Sequence, residues 1–198
     1  MLEHELCQKL VQIQSITPQN NGCLELIAAH LPQFNHHYIY QKDTSNLWSK
    51  RQKSSKHLAF AGHIDVVPVT SHWSVDPFAG IIKEGYLYGR GTNDMKGAIA
   101  SFVAALLEVQ DQLDYSVSLL LTSDEEGAAL YGTREIVKRL KQQQETFDLC
   151  IIGEPTSKEQ VGDHVKIGSR GSLNTHIKIR GRSGHVAYLE DAAPLVEK

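Results

Sequence analysis

The stretch DMKGAIASFVAALLEVQDQLDYSVSLLLTSDEEGAALYGTREIVKRLKQQQETFDLCIIGE, residues 94–154, decides the architecture. A helical pattern over 95–113 gives way to a β-rich run at 117–122. Helical spacing returns from about 131 to 141, and a second apolar run follows at 149–153. Both strand-like runs are apolar nearly throughout, as strands covered on two faces are, and a helix of crossover length lies between them. The pattern predicts an α/β fold in which buried strands are joined by crossover helices.

Toward the N-terminus, Leu2, Leu6, Leu10 and Ile13 form one helical stripe, Gly22 interrupts, and a second helical run covers 24–31. Short β-rich runs follow at 37–40, 46–49 and 57–61, the last leading directly into GHIDVVP (62–68). Residues 69–91, with SHWSVDPFAG (71–80) and EGYLYGRG (84–91), read as loops and a hairpin in which Trp73 and Phe78 are packing anchors. Beyond Glu154 the runs 165–167 and 173–179 are expected to be antiparallel strands, and the glycines at 181 and 184 suggest a domain boundary near 177–184.

Composition narrows the function classes. The 198 residues carry a formal charge of −3, which gives no footing for nucleic acid, and a hydrophobic share of 41% with 22% charged residues is that of an ordinary globular chain. The longest nearly apolar stretch, 98–107, contains Ser101 and falls well short of the roughly 18 residues a membrane span needs. Glu3 and Glu5 stand where a secretory leader carries basic residues, so a cytoplasmic location is expected. Cys7, Cys23 and Cys150 show no CxxC spacing and support neither a disulfide framework nor a thiolate metal site. Cys150, inside CIIG, is expected to be a small buried apolar residue.

Three apolar strands are each followed at once by titratable groups: His63 and Asp65 after the first, Asp124, Glu125 and Glu126 after the second, Glu154 after the third. In an open α/β sheet, ligand sites form outside the carboxyl ends of the strands. Taken singly, Asp94 could be a helix N-cap, Glu125 and Glu126 first-turn acids, and Glu154 a solvated loop residue. Taken together, carboxylates gathered at one sheet edge repel each other unless a cation neutralises them. One imidazole with three carboxylates suits a divalent ion such as zinc, and a bridging carboxylate suits a two-metal site. Asp94, Glu126, Glu154 and one hydroxide would balance the charge of two Zn²⁺.

FAGHIDVVPV (60–69), GRGTNDMKG (89–97), LLLTSDEEG (119–127), CIIGEPTS (150–157) and KIGSRGSL (166–173) occur in that order. Together they resemble the motifs of the dinuclear zinc amidohydrolases and metallopeptidases, the family that includes acetylornithine deacetylase, carboxypeptidase G and the aminoacylases. The wording around SDEEG, GEPTS and the stretch from GSRGSL through GHVAY is most similar to that of the family's desuccinylases.

The resemblance implies a zinc-peptidase-like catalytic domain with a central mixed sheet flanked by helices. It makes His63 and Glu154 ligands of one metal, Glu126 a ligand of the other and Asp94 the bridge, with two Zn²⁺ per complete subunit and Co²⁺ as an alternative. Asp65 becomes the carboxylate that orients His63, and Glu125 the general base that moves a proton from the attacking water to the leaving amine. Arg170 would clamp a substrate carboxylate, and His185 would stabilise the oxyanion from the partner subunit of a homodimer. The expected activity is hydrolysis of N-succinyl-LL-2,6-diaminopimelate in lysine biosynthesis, with an acetylornithine-type deacylase or a related zinc dipeptidase as the near alternative.

In this family an α+β lid and dimerisation domain is inserted into the catalytic domain, and a later segment supplies a last histidine to the second metal. Residues 1–176 are therefore expected to be the N-terminal part of the catalytic domain and 177–198 the start of the lid. On this reading the chain is half of a longer enzyme and inactive alone. Neither His164 nor His176 stands in a context like that of the late histidine, and Leu189 stands where relatives usually have proline. A non-catalytic remnant remains an alternative, and a serine amidase is disfavoured because no GxSxG elbow occurs.

Overall fold

The computed structural model describes residues 2–168, 171, 173, 175–181 and 185. The chain divides into two compact units, Met1–Pro155 and Thr156–Lys198.

In the first unit, four helices are α1 (Leu2–Gln12), α2 (Cys23–Ala29), α3 (Gly97–Val109) and α4 (Thr133–Gln142). Strands β1 (Asn35–Gln41), β2 (Thr44–Arg51), β3 (His57–His63), β6 (Ser116–Thr122) and β7 (Leu149–Ile152) form one sheet, while β4 (Ile81–Lys83) and β5 (Tyr86–Tyr88) form the expected hairpin. The sheet order is β1-β2-β6-β3-β7, antiparallel from β1 to β6 and parallel from β6 to β7. This is the mixed sheet with flanking helices that the resemblance implies.

β6 explains the layering. It lies at the middle of the sheet and is buried along its whole length. Val117, Leu119 and Leu121 point into the larger core with Leu6 and Leu10 of α1, Leu24 and Ile27 of α2, and Ile99 and Val103 of α3. Leu120, one residue out of phase, points to the opposite face and packs with Trp48, Ile136 and Leu140 of the α4 side. Ser116, Ser118 and Thr122 share the face of Leu120, so the strand alternates polar with apolar except at 119–121, where Leu120 serves the second core.

Three expectations change. Cys150 is exposed, because β7 is the edge strand of the sheet and all four of its residues are solvent-accessible. The described residues of 165–167 and 173–179 are coil rather than strands, since a strand needs a neighbour for its main-chain groups and none is paired there. Trp73 and Phe78 are only half-buried, Trp73 lying under the Arg90 guanidinium at 5.1 Å. In the second unit, the Asp163 carboxylate accepts the main-chain N–H groups of Lys158, Glu159 and Gln160, which holds that carboxyl below its ordinary range.

Candidate metal centre

Strand register assembles the site. β3 and β6 pair His63 with Thr122, and β3 and β7 pair Ala61 with Ile152. Continuing the second ladder by two residues sets Glu154 level with His63, and the turn after Thr122 carries Glu125 and Glu126 to the same edge. All three strands are parallel, so their carboxyl ends open on one side of the sheet.

Asp94 reaches this edge by another route. Helix α3 begins only at Gly97, with no side-chain cap, so Asp94 is not the N-cap that its position suggests. It sits in the tight turn Thr92–Lys96, whose Asp94–Met95 peptide is cis. Met95 is fully buried, and its sulfur accepts the His63 main-chain N–H at 3.4 Å. Gly153 allows this approach: a Cβ there would lie 2.6 Å from Met95 Cε and 2.5 Å from Phe60 Cζ. A thioether over the ends of two strands therefore brings the Asp94 turn against both.

His63 is 1% exposed. Its Nε2 lies 3.1 Å from Asp94 Oδ1, 3.5 Å from Glu154 Oε1 and 3.9 Å from Glu125 Oε2. Its Nδ1 is 2.9 Å from the Asp65 main-chain oxygen and 3.6 Å from the Asp65 carboxylate. The carbonyl can only accept, so Nδ1 carries a hydrogen and Nε2 faces the acids. Burial works against charge on this ring, but the hydrogen bonds and charge of Asp65 and the charge of Glu125 outweigh it, pushing His63 up to about 9.

The wholly buried Asp65 carboxylate also accepts the N–H groups of Glu125 and Glu126, at 3.1 and 3.0 Å, and so fixes the turn that carries them. Asp124, grouped with the strand-end acids by its position, is a structural residue. Its carboxylate accepts the N–H groups of Ala129, Leu130 and Tyr131 and shapes the approach to α4. Glu126 is pushed up by burial and by the charge of Asp94, and Glu154 by burial and, less, by the charges of Asp94, Glu125 and Glu126.

Such mutual repulsion is the signature of a place that wants a cation. Among the described residues, His63, Asp94 and Glu154 form a group whose ligand atoms all lie within 4.8 Å of one another. Neighbouring ligands on a tetrahedral zinc with bonds of about 2.0 Å stand roughly 3.3 Å apart, and the 3.1 and 3.5 Å separations around His63 match that edge. One imidazole and two carboxylates, with the imidazole's far nitrogen already tied down, fit a divalent ion.

Residues 59–198 match the sequence profile of Peptidase family M20/M25/M40. The chain belongs to that family. M20/M25/M40 relatives among curated proteins include the succinyl-diaminopimelate desuccinylase of Vesicomyosocius okutanii subsp. Calyptogena okutanii (strain HA), 44% identical over 190 residues. That match covers 92% of this chain and 50% of the relative. The protein of the same name from Sulfurovum sp. (strain NBC37-1) is 42% identical over 195 residues, covering 98% of this chain and 53% of the relative. The chain thus spans about half the length of the curated relatives it matches. Two solved structures share the M20 fold at low identity. The M20 family metallo-carboxypeptidase Sso-CP2 from Sulfolobus solfataricus has a TM-score of 0.63 at 21% identity, covering 76% of this chain and 37% of that one. Human carnosine dipeptidase 1 has a TM-score of 0.60 at 20% identity with the same coverage of both chains.

Of the site residues named from sequence, His63, Asp65, Asp94, Glu125, Glu126 and Glu154 gather at one edge of the first unit. His185 is an exposed coil residue of the second unit, and Arg170 lies outside the described residues. Sequence reasoning missed Met95 and Lys96. Lys96 is wholly buried, and its Nζ donates to the carbonyls of Leu10 and Ile13 at 2.8 and 2.9 Å, anchoring the Asp94 turn to the end of α1. A lysine directly before a helix start looks like any solvated lysine in sequence.

Proposed function

We propose that the chain is the metal-binding part of an enzyme that hydrolyses N-succinyl-LL-2,6-diaminopimelate to succinate and LL-2,6-diaminopimelate in lysine biosynthesis. The observation that carries this reading is the convergence of His63, Asp94 and Glu154 in a chain more than 40% identical, over more than nine-tenths of its length, to proteins named succinyl-diaminopimelate desuccinylase.

On this reading His63 and Glu154 would hold one Zn²⁺, Glu126 would hold a second, and Asp94 would serve both, with Co²⁺ able to replace zinc. When bound, the ions supply positive charge for the developing oxyanion and make the attacking water more acidic. The chain's own residues do the rest. Asp65 holds His63 by its main-chain oxygen and the Glu125–Glu126 turn by its carboxylate, so base and ligands move as one body. Glu125, half-exposed beside His63, takes a proton from the attacking water. As hydroxyl adds to the amide carbonyl and the C–N bond breaks, the same carboxyl returns the proton to the leaving nitrogen. Arg170 pairs with the terminal carboxylate of the succinyl group, and His185 donates to the oxyanion from the partner subunit of a cytoplasmic homodimer. Residues 177–198 begin its lid domain.

The test is a hydrolysis assay of the chain, alone and extended by the remaining half of a curated relative, with N-succinyl-LL-2,6-diaminopimelate and with N-acetylornithine. A guanidinium left unpaired by an acetyl group should lower kcat/KM by at least tenfold against the succinyl substrate. Faster hydrolysis of acetylornithine would move the assignment to a deacetylase.

A further inference from the structure

Glu154 reaches His63 only because β7 lies in one register against β3, and the exposed side chains of β7 itself do little to hold that register. β7 has four residues, all of them exposed. A strand with one buried face pays heavily for a slip, because its apolar side chains turn outward; a short strand open on both faces does not. The ladder bonds themselves are the same after a shift. Each residue of slip moves the chain by about 3.3 Å, enough to carry Glu154 out of reach of His63.

Gly153, whose place against Met95 and Phe60 no larger residue can take, marks this register at one end of β7, and one pair of contacts marks it at the other. Immediately before β7, Asp148 donates its main-chain N–H to the His57 carbonyl at 2.9 Å and accepts the His57 main-chain N–H on its carboxylate at 2.7 Å. The preceding residue, Phe147, sets its ring edge-on against the His57 imidazole at 4.7 Å. His57 is itself buried and held by Ser118 of β6, its Nε2 lying 2.9 Å from Ser118 Oγ, so the anchor point belongs to the middle of the sheet. At the far end the Gly153 N–H reaches the Ala61 carbonyl at 3.1 Å, and Glu154 follows.

From this geometry we infer that Asp148 is a positioning residue for the metal centre: by clasping the first residue of β3 it sets the β3–β7 register and thereby delivers Glu154 to His63 from the opposite end of the strand. An alanine, valine or lysine at position 148 leaves the His57 N–H without its side-chain acceptor, whereas asparagine keeps one. Asp148 is an exposed residue, so its replacement opens no cavity in the core.

The inference rests on the metal reading given above, and the experiment separates the two. Zn²⁺ affinity of the chain is measured by competition with a chelating dye for the wild type, Glu154→Gln, Asp148→Ala, Asp148→Asn and the double variant Asp148→Ala with Glu154→Gln. If Glu154→Gln leaves affinity unchanged, the metal reading fails. The register claim is then judged alone, by cross-strand nuclear Overhauser contacts between Ala59 and Cys150 in the wild type and in Asp148→Ala. With the metal reading intact, Asp148→Ala should lower affinity tenfold or more, Asp148→Asn should stay within about threefold of wild type, and the double variant should bind no more weakly than Glu154→Gln alone. A core variant of comparable loss in Tm, Leu140→Ala, should leave affinity unchanged, which a merely destabilising role for Asp148 does not predict. Wild-type affinity in Asp148→Ala, additive losses in the double variant, or unchanged Ala59–Cys150 contacts would overturn the inference. Should Asp148→Ala fail to fold, Asp148→Val carries the same comparison.

Discussion

Glu125 and Glu126 are neighbours in sequence with their N–H groups on the same Asp65 carboxylate, yet their side chains face different demands. Glu125 is 3.9 Å from His63 Nε2 and half-exposed, as a group that must meet substrate should be; Glu126 is more buried and is pushed up by burial and by Asp94. In the extended enzyme Glu125→Gln should therefore cost about 10²-fold or more in kcat with metal content unchanged, and Glu126→Gln should lower metal content. Identical behaviour of the two variants in both assays would show that the division of labour is wrong. His63 makes a pH prediction. Its folded value near 9 lies above the ordinary value of 6.5, so in the metal-free chain the ring stays protonated through neutral pH. The stability this brings is complete below about 6.5 and is lost as pH rises through about 9. The Tm of the metal-free chain should therefore fall between those limits, and Zn²⁺ binding near neutral pH should release a proton from His63, measurable by calorimetry in buffers of different ionisation enthalpy. A nuclear magnetic resonance titration placing His63 at or below its ordinary value would sink this account. At this scale His63, Asp65, Glu125, Glu126 and Glu154 were legible in the sequence because acids and a histidine directly after apolar strands are conspicuous, whereas Asp94 stood out only through its motif. Met95 was not, because a methionine inside a helical pattern looks like core and only its placement over two strand ends shows the rest.

The elements meet at points that no single element specifies. Lys96 joins the Asp94 turn to α1: its ammonium takes two carbonyls at the helix's C-terminal end, where the helix dipole favours a cation. Burial lowers the pKa of this lysine, yet its hydrogen bonds tie the turn to that helix end. Lys96→Met removes both donors from buried carbonyls and should cost about 1–3 kcal/mol in chemical denaturation, with weaker zinc retention because the turn carrying Asp94 loosens. A variant with unchanged stability and metal content would show that the turn is held by Met95 instead. Gly153 is the complementary case. Adding a methyl there drives into Met95 and Phe60, so Gly153→Ala should lower zinc affinity more than it lowers Tm. An equal loss in both measurements, scaled against a core variant, would refute the close-approach argument.

For the molecule as a whole, the two-ion site proposed above would have unequal positions. On the proposed reading His63, Asp94 and Glu154, whose ligand atoms lie within 4.8 Å of one another, would supply three protein ligands to one ion, the usual complement of a catalytic zinc, while Glu126 and Asp94 would supply two to the other. The chain should therefore keep about one Zn²⁺ after dialysis against metal-free buffer and hold a second only weakly, as metal analysis would show. Two firmly retained ions would mean that another of these 198 residues completes the second position.

The alternation of helical and apolar strand patterns over 94–154 determined the α/β class, and the acids that follow the strands marked which end of the sheet to watch. Both are local properties, written in the spacing of side chains along a few turns or a single strand. Only the tertiary structure decided that Asp94 serves the sheet edge instead of capping a helix, that Asp65 gives its carboxylate to the turn bearing Glu125 and Glu126, that Cys150 is exposed on an edge strand, and that Asp148 sets the level at which Glu154 arrives. Each of these depends on strand order and register, and those are settled by which faces the helices cover and which main-chain groups find partners across 60 residues or more of intervening chain.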